Sequence, residues 1–145
     1  MITLETIKIF AEVAVIFGGL IAITSFVIGI RKQREISQFT FFAEYTKRYQ
    51  EIVTNLPEDM NDVNVLEDED TRRYLRVYFD LCSEEYFLYT KKQISEEVWD
   101  EWKDGIKTTF RKEAILEYWK ERKTSYYDFS KYLVELLKEE SDEHI

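Results

Sequence analysis

From Val13 to Ile30 the chain reads VAVIFGGLIAITSFVIGI, eighteen residues without a charge or a proline. Ile9, Phe10 and Ala11 lengthen the apolar stretch to about twenty-two residues, with Glu12 inside it. At about 1.5 Å per residue, roughly twenty helical residues cross a hydrocarbon core. The stretch therefore predicts a transmembrane helix. A core helix of a soluble protein and a cleaved signal peptide are the two other readings of such a run. Against the signal peptide stand Glu5, Lys8 and Glu12 in place of a basic leader, and Arg31, Lys32 and Arg34 where a small-residue cleavage site would fall.

Basic flanks resist translocation, and three of them follow the span while Lys8 alone precedes it. The expected arrangement is a single-pass anchor over residues 1–33, its N-terminus outside, and a cytosolic domain over 34–145. On that side Cys82 stays reduced.

Ala11, Ala14, Gly18, Ala22, Ser25 and Gly29 follow one another at steps of three or four and share one helix face. Small residues let helix backbones approach closely, which drives association where lipid gives no hydrophobic reward for it. A lone span has no other span of its own chain to pack against. The expectation is a homo-oligomer in the bilayer; the plainer reading is that Gly and Ala are common in any membrane helix. Glu5, Lys8 and Glu12 also fall on one face. They either neutralise one another through the Lys8–Glu12 spacing of four residues or, in a ring of subunits, line a polar pore mouth.

After the basic flank, Ile36, Phe39, Phe42, Ala43, Tyr49, Val53 and Leu56 recur at roughly helical spacing, and no Gly or Pro intervenes before Pro57. The span is expected to run on as one helix. The acidic PEDMNDVNVLEDED, residues 57–70, reads as a loop. Helices are then expected over Thr71–Lys92, with Leu75, Tyr78, Phe79, Cys82, Tyr86 and Tyr89 on one stripe and Tyr74, Val77, Leu81 and Leu88 on another; from Ser95 as N-cap, with Ile94 and Trp99 as a hydrophobic staple and Gly105 a weak point; around Ala114, Ile115, Leu116 and Trp119; and from Ser125, with Asp128 completing a capping box. No stretch alternates at period two. The fold class is all-α: an N-terminal transmembrane helix continuing into a cytosolic bundle of about four to five helices. Ten Phe, ten Tyr and three Trp supply the core, with a base-stacking surface as the alternative use of the rings.

The chemistry is defined largely by what is missing. One Cys excludes an intramolecular disulfide, and a single His at position 144 removes most acid–base and zinc chemistry. No nucleophile triad, HExxH, GxGxxG or P-loop is present, so no enzyme, cofactor or metal is expected. The acidic loop lacks the glycine and spaced ligands of an EF-hand. Cys82 reads as a core residue, and the neighbouring carboxylates Glu84/Glu85 and Glu96/Glu97 as solvated faces. Lys107, Arg111, Lys112, Lys120, Arg122 and Lys123, together with Lys103, form a locally basic strip, suited either to RNA and an acidic partner or to ion pairs within the protein, while the net charge of −9 repels phosphate overall.

RKQREISQFTFFAEYTKRYQEI, RRYLRVYFDLCSEEYFLYTKKQISEEVWDEW and ILEYWKERKTSYYDFSKYLVEL, placed behind one span, resemble a bacterial family of small single-span proteins of unknown function. The layout is also similar to that of the membrane-anchored, HEPN-like accessory protein of RNA-targeting type VI-B CRISPR systems. The resemblance implies an inner-membrane ring, a defence-system protein partner, and antiviral action by membrane perturbation or pore formation. Nuclease HEPN members carry an Arg followed four to six residues later by His; here Arg122 is followed by Tyr126, Tyr127 and Asp128. Two alternatives stay open: a monomeric membrane-tethered adaptor, and a divergent RNA-binding protein or RNase.

Overall fold

The computed structural model describes the backbone of residues 3–142 and the side chains of residues 3–138, so His144 lies outside the described residues. Among the described residues the chain is all-helical, without strands, and one long N-terminal apolar helix is followed by a helical bundle. The helices are α1 (Leu4–Val53), α2 (Glu69–Thr90), α3 (Glu96–Phe110), α4 (Glu113–Arg122) and α5 (Tyr127–Asp142). They fall into two units, one ending at Phe39 and the other beginning at Thr40.

In the first unit the apolar part of α1 buries none of its residues, and it is long and apolar enough to cross a membrane. Side chains such as Phe10, Ile16, Phe17, Ile21, Phe26 and Ile28 are each more than half exposed.

The second unit holds the core. The end of α1 buries Tyr45 and Ile52, and Phe41, Tyr49 and, just past the helix, Leu56 pack against the core. This corrects the stripe expected from the sequence, because Ile36, Phe39 and Phe42 are exposed. The steps 41–45–49–52–56 hold one face, whereas the expected set mixed two. α1 stops where Asn55 Nδ2 donates to the Glu51 carbonyl at 2.7 Å and the Asn55 amide donates to Ile52, just before Pro57, which has no N–H to continue the helix.

The acidic loop contains a 3-10 turn, Val63–Glu67, which the sequence did not disclose; Asp62 caps it by accepting from the Asn64 amide. α2 starts at Glu69, two residues earlier than expected, because the Asp68 carboxylate accepts from both the amide and the hydroxyl of Thr71 at 2.8 Å. Those two bonds hold the Asp68 carboxyl below its ordinary range. At the other end the Lys92 amide donates to Tyr89 and the Gln93 amide to Leu88, the paired bonds of a Schellman motif. Lys92 supplies the left-handed residue that this motif needs, at φ 55°.

Ser95 caps α3 as expected, accepting from the Val98 amide at 3.3 Å. Lys112 precedes α4 and gives no side-chain cap. The Met60 carbonyl takes that place, accepting from the Ala114 amide at 3.0 Å. The Ser125 cap is not formed. Lys123–Ser125 is a 3-10 turn closed by the Tyr126 amide on the Lys123 carbonyl, and α5 begins only at Tyr127, with Asp128 left as a favourable first-turn acid.

α2 is central, touching α3, α4, α5 and the 3-10 turn of the acidic loop. Its first expected stripe faces the core: Leu75, Tyr78, Phe79 and Cys82 are buried. Of the second stripe only Leu81 is buried, and Val77 is exposed. Phe79 is the hub, with ring centroids of Phe110, Tyr118, Trp119 and Tyr126 between 5.0 and 6.2 Å away. A second aromatic group joins Tyr86, Tyr89, Trp99 and Tyr132. The rings are therefore packing elements.

Phe79→Ala should cost about 3–5 kcal/mol, because the surrounding rings belong to different elements and leave a cavity; urea unfolding of the full chain in detergent reads this directly. Lys92→Gly should stabilise the fold by about 0.5–1 kcal/mol, by relieving the left-handed backbone at the end of α2, and raise the thermal midpoint.

Candidate functional site

Three helical segments of the second unit surround a partly enclosed cavity of about 150 Å³. The end of α1 contributes Tyr45, Thr46 and Tyr49, α2 contributes Tyr78 and Glu85, and α3 contributes Glu101, Trp102, Gly105 and Ile106. Helical spacing explains the set: Tyr45 and Tyr49, Tyr78 and Glu85, and Trp102 and Ile106 each recur at four or seven residues along one face. Tyr45 stacks on Trp102 with centroids 5.3 Å apart, and Tyr49 lies 6.4 Å from Tyr78.

Glu85 is the unusual member, a carboxyl only 6% exposed among aromatic rings. No hydrogen bond to it is found among the described residues. Burial pushes its pKa up to about 8; the nearby Arg48 charge opposes that shift and Glu84 adds to it. Arg48 is already committed, since its Nη1 lies 2.6 Å from the Glu84 carboxylate and its guanidinium covers the Tyr45 ring at 5.0 Å. The Tyr45 hydroxyl donates to the same Glu84 oxygen at 3.2 Å. Glu85 is therefore neutral at neutral pH. Burial also pushes the Cys82 thiol and the Tyr78 hydroxyl well up, so both stay protonated, and Cys82 is an inert core residue.

The reading of both carboxylate pairs as solvated is corrected here. Glu96 and Glu97 are exposed, but Glu84 and Glu85, about 100° apart on α2, divide between surface and interior. A signal was available. Thr71, Leu75, Tyr78, Cys82, Glu85 and Tyr89 step alternately by four and three residues, so Glu85 stands on the packed seam of α2 and interrupts its apolar character.

Ala11, Ala14, Gly18, Ala22, Ser25 and Gly29 all lie on α1 with exposed surfaces, and a Cβ added at Gly18 or Gly29 would meet nothing within 4 Å. Glu5, Lys8 and Glu12 are exposed on the first turns of the same helix. The basic strip is divided among elements. Lys103 and Lys107 lie on α3, Arg111 and Lys112 join α3 to α4, Lys120 and Arg122 end α4, and Lys123 opens the following turn. Within it, Lys103 pairs with Asp100 and Lys120 with Glu117, both inside their own helices. The Arg122 Nε is buried without a hydrogen-bond partner among the described residues. No group of His, Cys, Asp and Glu suited to a metal ion occurs among them. Comparisons of the chain with protein families, with curated proteins and with solved structures find no match.

The Glu85 carboxyl fixes a pH dependence. The folded protein keeps this proton up to about pH 8, whereas an unfolded glutamate releases it near 4.5. Between those values the folded state binds more protons, so stability falls as pH rises, by up to about 1.4 kcal/mol per pH unit, and the loss is complete above the folded value. Thermal midpoints of the full chain should decline from about pH 5 to about pH 8, and Glu85→Gln should flatten that decline. An equal slope in both proteins would place the titrating group elsewhere.

Proposed function

We propose that the chain is a membrane-anchored protein that self-associates through α1. One observation carries this reading: a long apolar helix leaves its large side chains uncovered by any part of the protein. Contiguous apolar surface of that extent is a liability in water and neutral in hydrocarbon. The bilayer is thus the partner that fits α1. Arg31, Lys32 and Arg34 set the orientation, with the helical unit on the cytoplasmic side.

The open face of small residues supports homo-oligomers, because copies meeting there bring backbones into van der Waals contact without moving any side chain aside. In such an assembly Glu5, Lys8 and Glu12 would gather at one end of the spans, as a polar ring around a shared axis. Antiviral defence through membrane perturbation is the role implied by the likeness in layout.

After expression of the untagged chain, alkaline carbonate should leave it in the membrane fraction. Replacing Gly18 and Ala22 together by Ile should convert the detergent-solubilised particle from several copies to one on blue-native gels, without altering the far-ultraviolet helix signal. Recovery in the soluble fraction would overturn the anchor. A wild-type particle of single-copy mass would overturn self-association and leave a monomeric tether.

A further inference from the structure

The proposed membrane role makes no use of the cavity beside Glu85. Its lining combines the rings of Tyr45, Tyr49, Tyr78 and Trp102 with two carboxylates, Glu85 and Glu101, and contains no basic side chain. The Glu85 carboxyl is largely buried beside this lining, where its ionised form is costly without a positive partner. Aromatic faces and an acid do share one preferred guest, a positive charge whose carbon substituents lower its need for water.

We propose that this cavity binds a small alkylated ammonium group, held among the aromatic residues of its lining and by the Glu85 carboxylate. The size fits, because a cavity of about 150 Å³ takes a guest as large as benzene. Other guests fit less well. An anion would meet the acidic side chains of Glu85 and Glu101 with no basic group to hold it, and a calcium or magnesium ion needs six or more oxygens in a tight shell. A neutral apolar guest would leave the acid unpaired.

Binding is coupled to a proton. Empty, the cavity holds Glu85 protonated to about pH 8; a cation entering it draws the carboxyl into its ionised form, and the proton passes to solvent. Arg48 and Glu84 act on Glu85 electrostatically, Tyr78 and Cys82 on its own helix interact with it, and Tyr45, Tyr49 and Glu101 share the cavity lining with it. Arg48 stays charged on Glu84, and Tyr45, Tyr78 and Cys82, all raised, stay neutral. Affinity therefore rises with pH, by at most tenfold per unit, until Glu85 is ionised without the guest.

The test uses the full chain in maltoside micelles, titrated with choline chloride and followed by tryptophan fluorescence and thermal midpoint. Choline should give a saturable change that sodium chloride at equal ionic strength does not, and should bind at least about tenfold more tightly at about pH 8 than at about pH 6. Glu85→Gln and Trp102→Leu should each weaken it at least about tenfold, and Glu85→Gln should remove the pH dependence. The neutral isostere 3,3-dimethylbutan-1-ol needs no variant and should not saturate the site. In nanodiscs, loss of the choline response on replacing phosphatidylglycerol by phosphatidylcholine marks a lipid headgroup as the source, and its persistence marks a free ammonium compound. The proposal fails if sodium chloride reproduces the change, if the neutral alcohol binds equally well, or if Glu85→Gln binds choline as the parent does.

Discussion

Phe79 brings together rings from α3, α4 and the turn that leads into α5, and the bundle depends on that meeting point. α4 has only ten residues, too few to hold a helix by its own hydrogen bonds in water. Its stability comes from Ala114, Ile115, Tyr118 and Trp119, all buried against neighbours. Aromatic side chains suit this task because each covers a large area while freezing only two torsions. A small unit assembled from short helices thus obtains a core from few residues. Polar contacts organise its margin: Arg76 donates to the Tyr118 hydroxyl at 3.0 Å, and the Tyr126 hydroxyl donates to Asp80 at 2.7 Å, so rings that enter the core keep their oxygens satisfied at its edge.

The same economy leaves Glu85 largely buried beside a cavity lined by Tyr45, Tyr49, Tyr78 and Trp102. Glu84 and Glu85 are chemically identical neighbours, yet one rotation of about 100° gives the first an arginine and a tyrosine hydroxyl and turns the second towards a largely aromatic cavity. Burial raises the proton affinity of Glu85, and its place on the packed seam of α2 is the sequence signature of that burial. The apolar helix presents the opposite situation, in which side chains of the type found in the core have no protein cover at all. Both features place a group where water is not its natural solvent.

Local signals were legible wherever one residue decides the outcome. The run from Val13 to Ile30 announced its helix through length and lack of charge, and Ser95 announced an N-terminus because its hydroxyl accepts from an amide three residues on. Signals failed where tertiary contacts choose between competing local options. Ser125 and Asp128 have capping-box spacing, but the turn after α4 claims Ser125 first. Phe39 and Phe42 are as apolar as Phe41 and Tyr45, and only the positions of α2 and α3 select which pair is covered. The cavity was hidden for the same reason: its three contributing segments lie far apart in the chain, and Glu85 sat beside a residue that is solvated. Small residues at intervals and charges near the ends of α1 were readable as patterns, whereas their use depends on what surrounds the helix.

The bond from the Ala114 amide to the Met60 carbonyl fastens the acidic loop to the start of α4 through main-chain atoms alone. The bond itself uses no side-chain atom, and proline at position 114 would abolish it outright, although Met60 and Ala114 are themselves core residues. Drift at the loop's exposed positions is thereby decoupled from its anchorage, which the buried Met60 and Leu66 side chains share, and its outer surface is free to acquire new chemistry while its route across the bundle stays fixed.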